Sequence, residues 1–196
     1  DKYLLNKIPK ESFKIMFAGN IGEAQDFPSI LEAAKLLKHN KSIQWIILGS
    51  GRKEEWVKSE IKEHKLEKCF NMLGSLPLDK MPDYYAHADC MLFSLKKEYI
   101  FSITIPAKVQ SYLACAKPIL AMIDGEAAKI IADAQAGLIC PPERPDMLAK
   151  NVEKLSLMRK IDLDQLGRNA LDYSNNEFER NMLMDRIENM FLNIIS

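Results

Sequence analysis

Short apolar runs and amphipathic stretches take turns along most of the chain. Residues 13–18 (Phe-Lys-Ile-Met-Phe-Ala) and 43–48 (Ile-Gln-Trp-Ile-Ile-Leu) are largely apolar and stop at Gly19 and Gly49. Such runs, cut off by glycine, predict strands buried on both faces. The same pattern places strands at 69–73, 88–94, 118–123 and 138–140. Between them, Ile30, Leu31, Ala34 and Leu37, and then Trp56, Val57 and Ile61, recur at helical spacing. That spacing predicts helices over 27–38 and 53–64, with others at 78–87, 106–115 and 126–135. Pro106 suits a first helical turn, and Gly137 is expected as a left-handed cap. Residues 96–105 read as a long loop. After Pro141-Pro142 the strand signal stops, and helices are expected at 145–158, 163–171 and 176–195.

Strands alternating with helices imply right-handed βαβ units. The predicted fold is α/β: a Rossmann-like parallel sheet of about six strands with helices on both faces. Residues 1–12 are expected to be the tail of a linker, 13–175 the domain proper, and 176–196 a closing helix. Ligands of such sheets bind beyond the carboxyl ends of the strands. That rule selects the segments after Ala18, Leu48, Leu73 and Ser94; the first three open on Gly19, Gly49 and Gly74.

Composition narrows the function. The 27 basic and 27 acidic residues cancel, which argues against nucleic acid as the main ligand. No apolar run approaches the roughly 20 residues of a membrane-spanning helix. The chain opens on Asp1 without a signal-peptide pattern, and we expect a segment of a longer cytoplasmic protein. Cys69, Cys90, Cys115 and Cys140 form no CxxC pair, so buried free thiols are expected rather than a zinc site.

Three constellations could carry chemistry. Gly19-Asn20-Ile21-Gly22 either lets the backbone approach a phosphate or makes an ordinary tight turn. It is not GxGxxG, and no acidic residue closes the second strand, so a nicotinamide cofactor is not expected. Gly49-Ser50-Gly51-Arg52-Lys53 sets two cations at a helix start, where they oppose the helix dipole. A bound diphosphate would offset that cost; a solvated basic pair is the bland alternative. Ser102, Thr104 and Lys108 flank Pro106 and either bind phosphate oxygens or cap the helix. His39, His64 and His87 suggest no ligand set, and Glu98, Asp124 and Glu126 define no acid/base pair. No DxD-like carboxylate pair lies in the four segments selected above, so no metal is expected.

Together these segments resemble the C-terminal domain of the retaining GT-B glycosyltransferases of family 4, also called group 1. The resemblance runs from about Phe13 to Phe191. It rests on Phe17-Ala18-Gly19-Asn20-Ile21-Gly22, on Ile47-Leu48-Gly49-Ser50-Gly51 and on the run 84–94. The strongest piece is 105–119, Ile-Pro-Ala-Lys-Val-Gln-Ser-Tyr-Leu-Ala-Cys-Ala-Lys-Pro-Ile. Within the family it is similar to bacterial surface-polysaccharide enzymes, including N-acetyl-fucosaminyl transferases. Several positions depart from the family pattern. Its paired glutamates fall at Ile103 and Ser111, the glycine before the Lys-Pro turn is Ala116, and its Arg/Lys pair becomes Asn20 and Gln25.

The resemblance implies a UDP-sugar donor held without metal, the diphosphate being neutralised by protein cations and helix N-termini. Gly19, Asn20, Gly22, Arg52, Lys108 and Ser111 would hold diphosphate and ribose. Gly74, Ser102 and Thr104 would complete the donor site. The acceptor, a polysaccharide or polyprenyl-linked sugar, would meet an N-terminal domain of the same protein, against which the last helix packs. The full-length protein would be cytoplasmic, or peripheral at the inner face of the membrane. The alternatives are a GT-B-fold sugar-nucleotide epimerase and a non-catalytic nucleotide-binding domain.

Overall fold

The computed structural model describes residues 10–195, without the side chain of Ile195. Most of the expected linker therefore lies outside the described residues. Six parallel strands form one sheet: β1 Phe13–Ala18, β2 Ile43–Leu48, β3 Phe70–Gly74, β4 Cys90–Ser94, β5 Ile119–Met122 and β6 Gly137–Cys140. Their order is β3-β2-β1-β4-β5-β6, so the direction of winding reverses between β1 and β4. Helices α1 (Phe27–Leu37), α2 (Glu54–Glu63), α3 (Met81–Ala86), α4 (Tyr99–Ser102), α5 (Ala107–Ala114) and α6 (Gly125–Asp133) link the strands. Three more follow β6: α7 (Pro145–Ser156), α8 (Lys160–Glu177) and α9 (Arg180–Ile195).

The strands are apolar throughout because each face has its own core. Ile15, Phe17, Trp45, Ile47, Leu92 and Leu120 point into a core shared with α1, α2 and α7. Met16, Ile46, Leu48, Met91, Phe93 and Ala121 point the other way, toward α5 and α6. This two-residue alternation is the geometry of the pleat. Alpha1 starts where Asp26 accepts from the Ser29 N–H and Pro28 occupies the first turn.

Several elements differ from expectation. Residues 78–87 divide into a 3₁₀ turn, Leu78–Lys80, and α3, because Pro82 suits a first turn and not an interior one. The loop after β4 contains α4. The left-handed cap after α6 is Gln135, with φ 48°, and not Gly137. Gly137 serves another purpose: a Cβ there would fall 1.8 Å from the Ile119 carbonyl oxygen. The helix expected at 163–171 runs from Lys160 to Glu177, through the expected boundary at 175, and the closing helix begins at Arg180.

Candidate functional site

The carboxyl ends of β1, β2 and β3 are laced through their turns. Gly49 N–H donates to the Gly74 carbonyl (2.8 Å), Gly19 N–H to Leu48 (2.8 Å), and Ile21 N–H to Ser50 (2.9 Å). The backbones come so close that a Cβ on Gly49 would lie 1.8 Å from the Gly19 oxygen. Gly19 and Gly49 also hold φ of 141° and 131°, which side chains rarely adopt. Asn20 wedges its amide between Gly22 and Gly51; a Cβ on either would come within 2.6 Å of it.

Two concavities open at this edge. The first, about 540 Å³, is lined by Gly19, Asn20, Ser50, Leu76, Tyr85 and Ser111 among others. Its size and mixed lining suit a nucleoside. The second, about 710 Å³, is lined by Asn20, Gly22, Gln25, Arg52, Lys53 and Trp56 among others. Asn20 is common to both.

The cations differ in what they already touch. Lys108 extends its ammonium to Gly19 and over the Phe17 ring, 4.2 Å from its centroid. It has no carboxylate partner among the described residues, and burial pushes it down to about 8. Arg52 is exposed and likewise unpaired among the described residues. Lys53, by contrast, pairs with Glu23, which also accepts from Lys96 at 3.0 Å. Hydrogen bonds from those two lysines hold the Glu23 carboxyl below its usual range.

The structure thus brings Gly19, Asn20 and Ser111 to one cavity, with Lys108 beside it, and Asn20, Gly22 and Arg52 to the other. Gly74 stands behind the turns as the acceptor for Gly49. Ser102 and Thr104 are not among the residues lining either cavity, and their hydroxyls donate to Tyr99 (2.8 Å) and Ile100 (3.0 Å) carbonyls. The Ser102 backbone instead seats on Gly125. The Ser111 hydroxyl donates to the Ala107 carbonyl at 3.2 Å and keeps its lone pairs for a ligand. Sequence reasoning missed Leu76, Met81 and Tyr85. Leu76 precedes the helix expected at 78–87 and Met81 lies within it, marked only by apolar character, while Tyr85 stood in the run 84–94 without a role; Leu78 beside them is 89% exposed. Among the described residues no three His, Cys, Asp or Glu side chains cluster as metal ligands, and no helix is long and apolar enough to cross a membrane.

A family model, glycosyl transferases group 1, matches residues 5–172. The chain is 31% identical over 170 residues to the Pseudomonas aeruginosa protein named probable glycosyltransferase WbjE. That match covers 83% of this chain, which spans 40% of the relative's length. Among solved structures it resembles Anabaena Alr3699/HepE in complex with UDP-glucose (TM-score 0.80, 15% identity, 98% of this chain and 51% of that one). It also resembles the C-terminal domain of the group 1 family protein LpcC from Francisella tularensis (TM-score 0.72, 18% identity, 91% and 92% covered).

Proposed function

The chain belongs to the group 1 glycosyl transferases, and from that premise we propose that it is the donor-binding domain of a retaining family 4 enzyme. The donor is a UDP-sugar. The acceptor is a growing surface polysaccharide or a polyprenyl-linked sugar, as in the N-acetyl-fucosaminyl branch. An N-terminal domain of the same protein would bring that acceptor, and the complete enzyme would work at the cytoplasmic side of the membrane.

One observation carries this reading: Lys108, without a carboxylate partner among the described residues, is held at the Gly19 turn beside a nucleoside-sized cavity. A buried ammonium without a carboxylate is costly, and an anion arriving there offsets the cost. The uridine would lie against Leu76 and Tyr85, with Ser111 accepting from the ribose. The diphosphate would sit at Gly19 between Lys108 and the start of α5, whose first-turn N–H groups add positive potential. Arg52 would approach from the second cavity. It shares that cavity with Asn20 and Gln25, which stand where the family carries its Arg/Lys pair. The leaving UDP is then neutralised by fixed protein charge, without a metal. Gly22, Gly74, Ser102 and Thr104 would shape the turns and loop around the donor.

Calorimetric titration tests this. The parent should bind UDP more tightly than uridine, and Lys108→Ala should remove most of that difference. Equal binding of UDP by parent and variant would place the diphosphate elsewhere.

A further inference from the structure

The strands on either side of the winding reversal part early. β1 and β4 pair at Ile15–Cys90 and Met16–Met91. In a parallel ladder, a residue directs its N–H and C=O to one side, and successive residues alternate. Gly19 N–H faces β2, bonding Leu48. Ala18 therefore faces the β4 side, beyond the last β1–β4 pair. There the Tyr112 hydroxyl replaces the missing strand: it accepts from Ala18 N–H at 2.9 Å and donates to the Ala18 carbonyl at 3.1 Å.

Tyr112 is 1% exposed and comes from α5. It stands four residues after Lys108, on the same helix face. The two side chains reach adjacent residues where β1 ends, Ala18 and Gly19. The Tyr112 ring also packs edge-on against Tyr85, a wall of the nucleoside cavity (centroids 6.3 Å apart).

We propose that the Tyr112 hydroxyl is the clasp that sets the phosphate-binding end of β1 against α5, which makes Tyr112 a positioning residue for the donor. The proposal rests on the donor-site reading above. Tyr112→Phe keeps the ring and removes the clasp, leaving the Ala18 N–H and carbonyl without partners. The Gly19 turn and Lys108 then lose their mutual register.

The test compares the full chain with Tyr112→Phe and with Val109→Ala, a buried residue of the same helix that does not touch β1 through a hydrogen bond. Tyr112→Phe should weaken UDP binding about tenfold while uridine changes less than about twofold. Amide exchange should accelerate over residues 18–21. Val109→Ala should lower stability and keep the UDP-to-uridine ratio. An unchanged ratio in Tyr112→Phe, or an equal loss in Val109→Ala, would reduce Tyr112 to a core residue and overturn the proposal. A parent that fails to distinguish UDP from uridine would instead overturn the donor reading. In that event, faster exchange confined to 18–21 in Tyr112→Phe still supports the clasp, and unchanged exchange sinks it.

Discussion

At the scale of single residues, Lys108 shows what a buried ammonium, proposed above to meet the diphosphate, costs the fold. Burial holds its ammonium down to about 8, from an ordinary 10.5. The folded state therefore disfavours the charged form, and stability should rise as pH climbs from 8 toward 10.5. The penalty below pH 8 is at most about 3 kcal/mol. Lys108→Met keeps the stem's packing and removes the charge. It should raise the melting temperature at pH 7 and flatten the stability rise above pH 8. Binding has the opposite sign: a diphosphate stabilises the ammonium and raises its pKa. UDP affinity should thus fall above pH 8, by up to about tenfold per unit, with uptake of a proton visible as a buffer-dependent enthalpy. Lys108→Met should remove both effects and weaken UDP binding. A variant that binds UDP with the parent's pH profile would show that Lys108 never meets the phosphate.

The two neighbouring cations offer a sharper comparison. Arg52 is unpaired among the described residues, whereas Lys53 is held by Glu23 and lies over the Trp56 ring. Arg52→Ala should weaken UDP binding about tenfold, the scale of one charge-assisted hydrogen bond. Lys53→Ala should change it by less than about threefold. Sequence alone ranks them the same way by placing Lys53 in a helix that in fact begins at Glu54. It cannot supply the physical reason, an ion pair to a residue thirty positions earlier. Equal effects in titration would mean that the Glu23 pairing gives way to the ligand.

At the scale of elements, the strands and the first helices were legible because local pattern and tertiary role agree. β1 and β2 fall where continuous apolar runs and terminal glycines predict them. The misreadings arise where backbone sterics act between distant segments. Gly137 looked like a cap by its place after a helix, yet its duty is contact with Ile119, and Gln135 carries the left-handed turn. Ser102 and Thr104 looked like phosphate ligands by residue type. Their hydroxyls instead donate to carbonyls of the one-turn helix α4, Ser102 from its last residue and Thr104 from just beyond it. Ala116 is the instructive case, since it adopts φ 53°, a left-handed conformation that favours glycine. Ala116→Gly should stabilise the chain by about 0.5–1 kcal/mol, relief of the left-handed strain outweighing the added chain entropy. Gly49→Ala should cost about 2–4 kcal/mol, since its Cβ meets the Gly19 carbonyl. Gly74→Ala, with nothing within 4 Å but φ 75°, should cost only about 1 kcal/mol. Thermal unfolding of the three variants checks the order, and a Gly49→Ala as mild as Gly74→Ala would mean the two turns can separate.

At the scale of the whole molecule, the two cavities, Lys108 and Arg52 belong to one sheet edge. The chain spans 40% of the length of WbjE, so the acceptor side of the reaction belongs, on our reading, to the remaining part of such a protein. The exposed apolar side chains of α9, Met184, Ile187, Met190 and Phe191, give such a part a surface to pack on. Three outcomes follow for residues 1–196 alone. The chain should unfold in a cooperative transition, since both faces of its sheet carry a closed core. It should bind UDP, and EDTA should leave the affinity unchanged, because Lys108 and Arg52 supply the charge that a divalent ion would otherwise bring. It should transfer no sugar from a labelled UDP-sugar to an acceptor, whereas the longer protein should. Product analysis separates the rivals: an epimerised nucleotide sugar from the longer protein would make it an epimerase, and unaltered donor would make this a binding domain. Loss of UDP binding in EDTA with recovery in manganese would show that the cations do not suffice. Transfer by residues 1–196 alone would place the acceptor site in this half, at the same sheet edge as the donor.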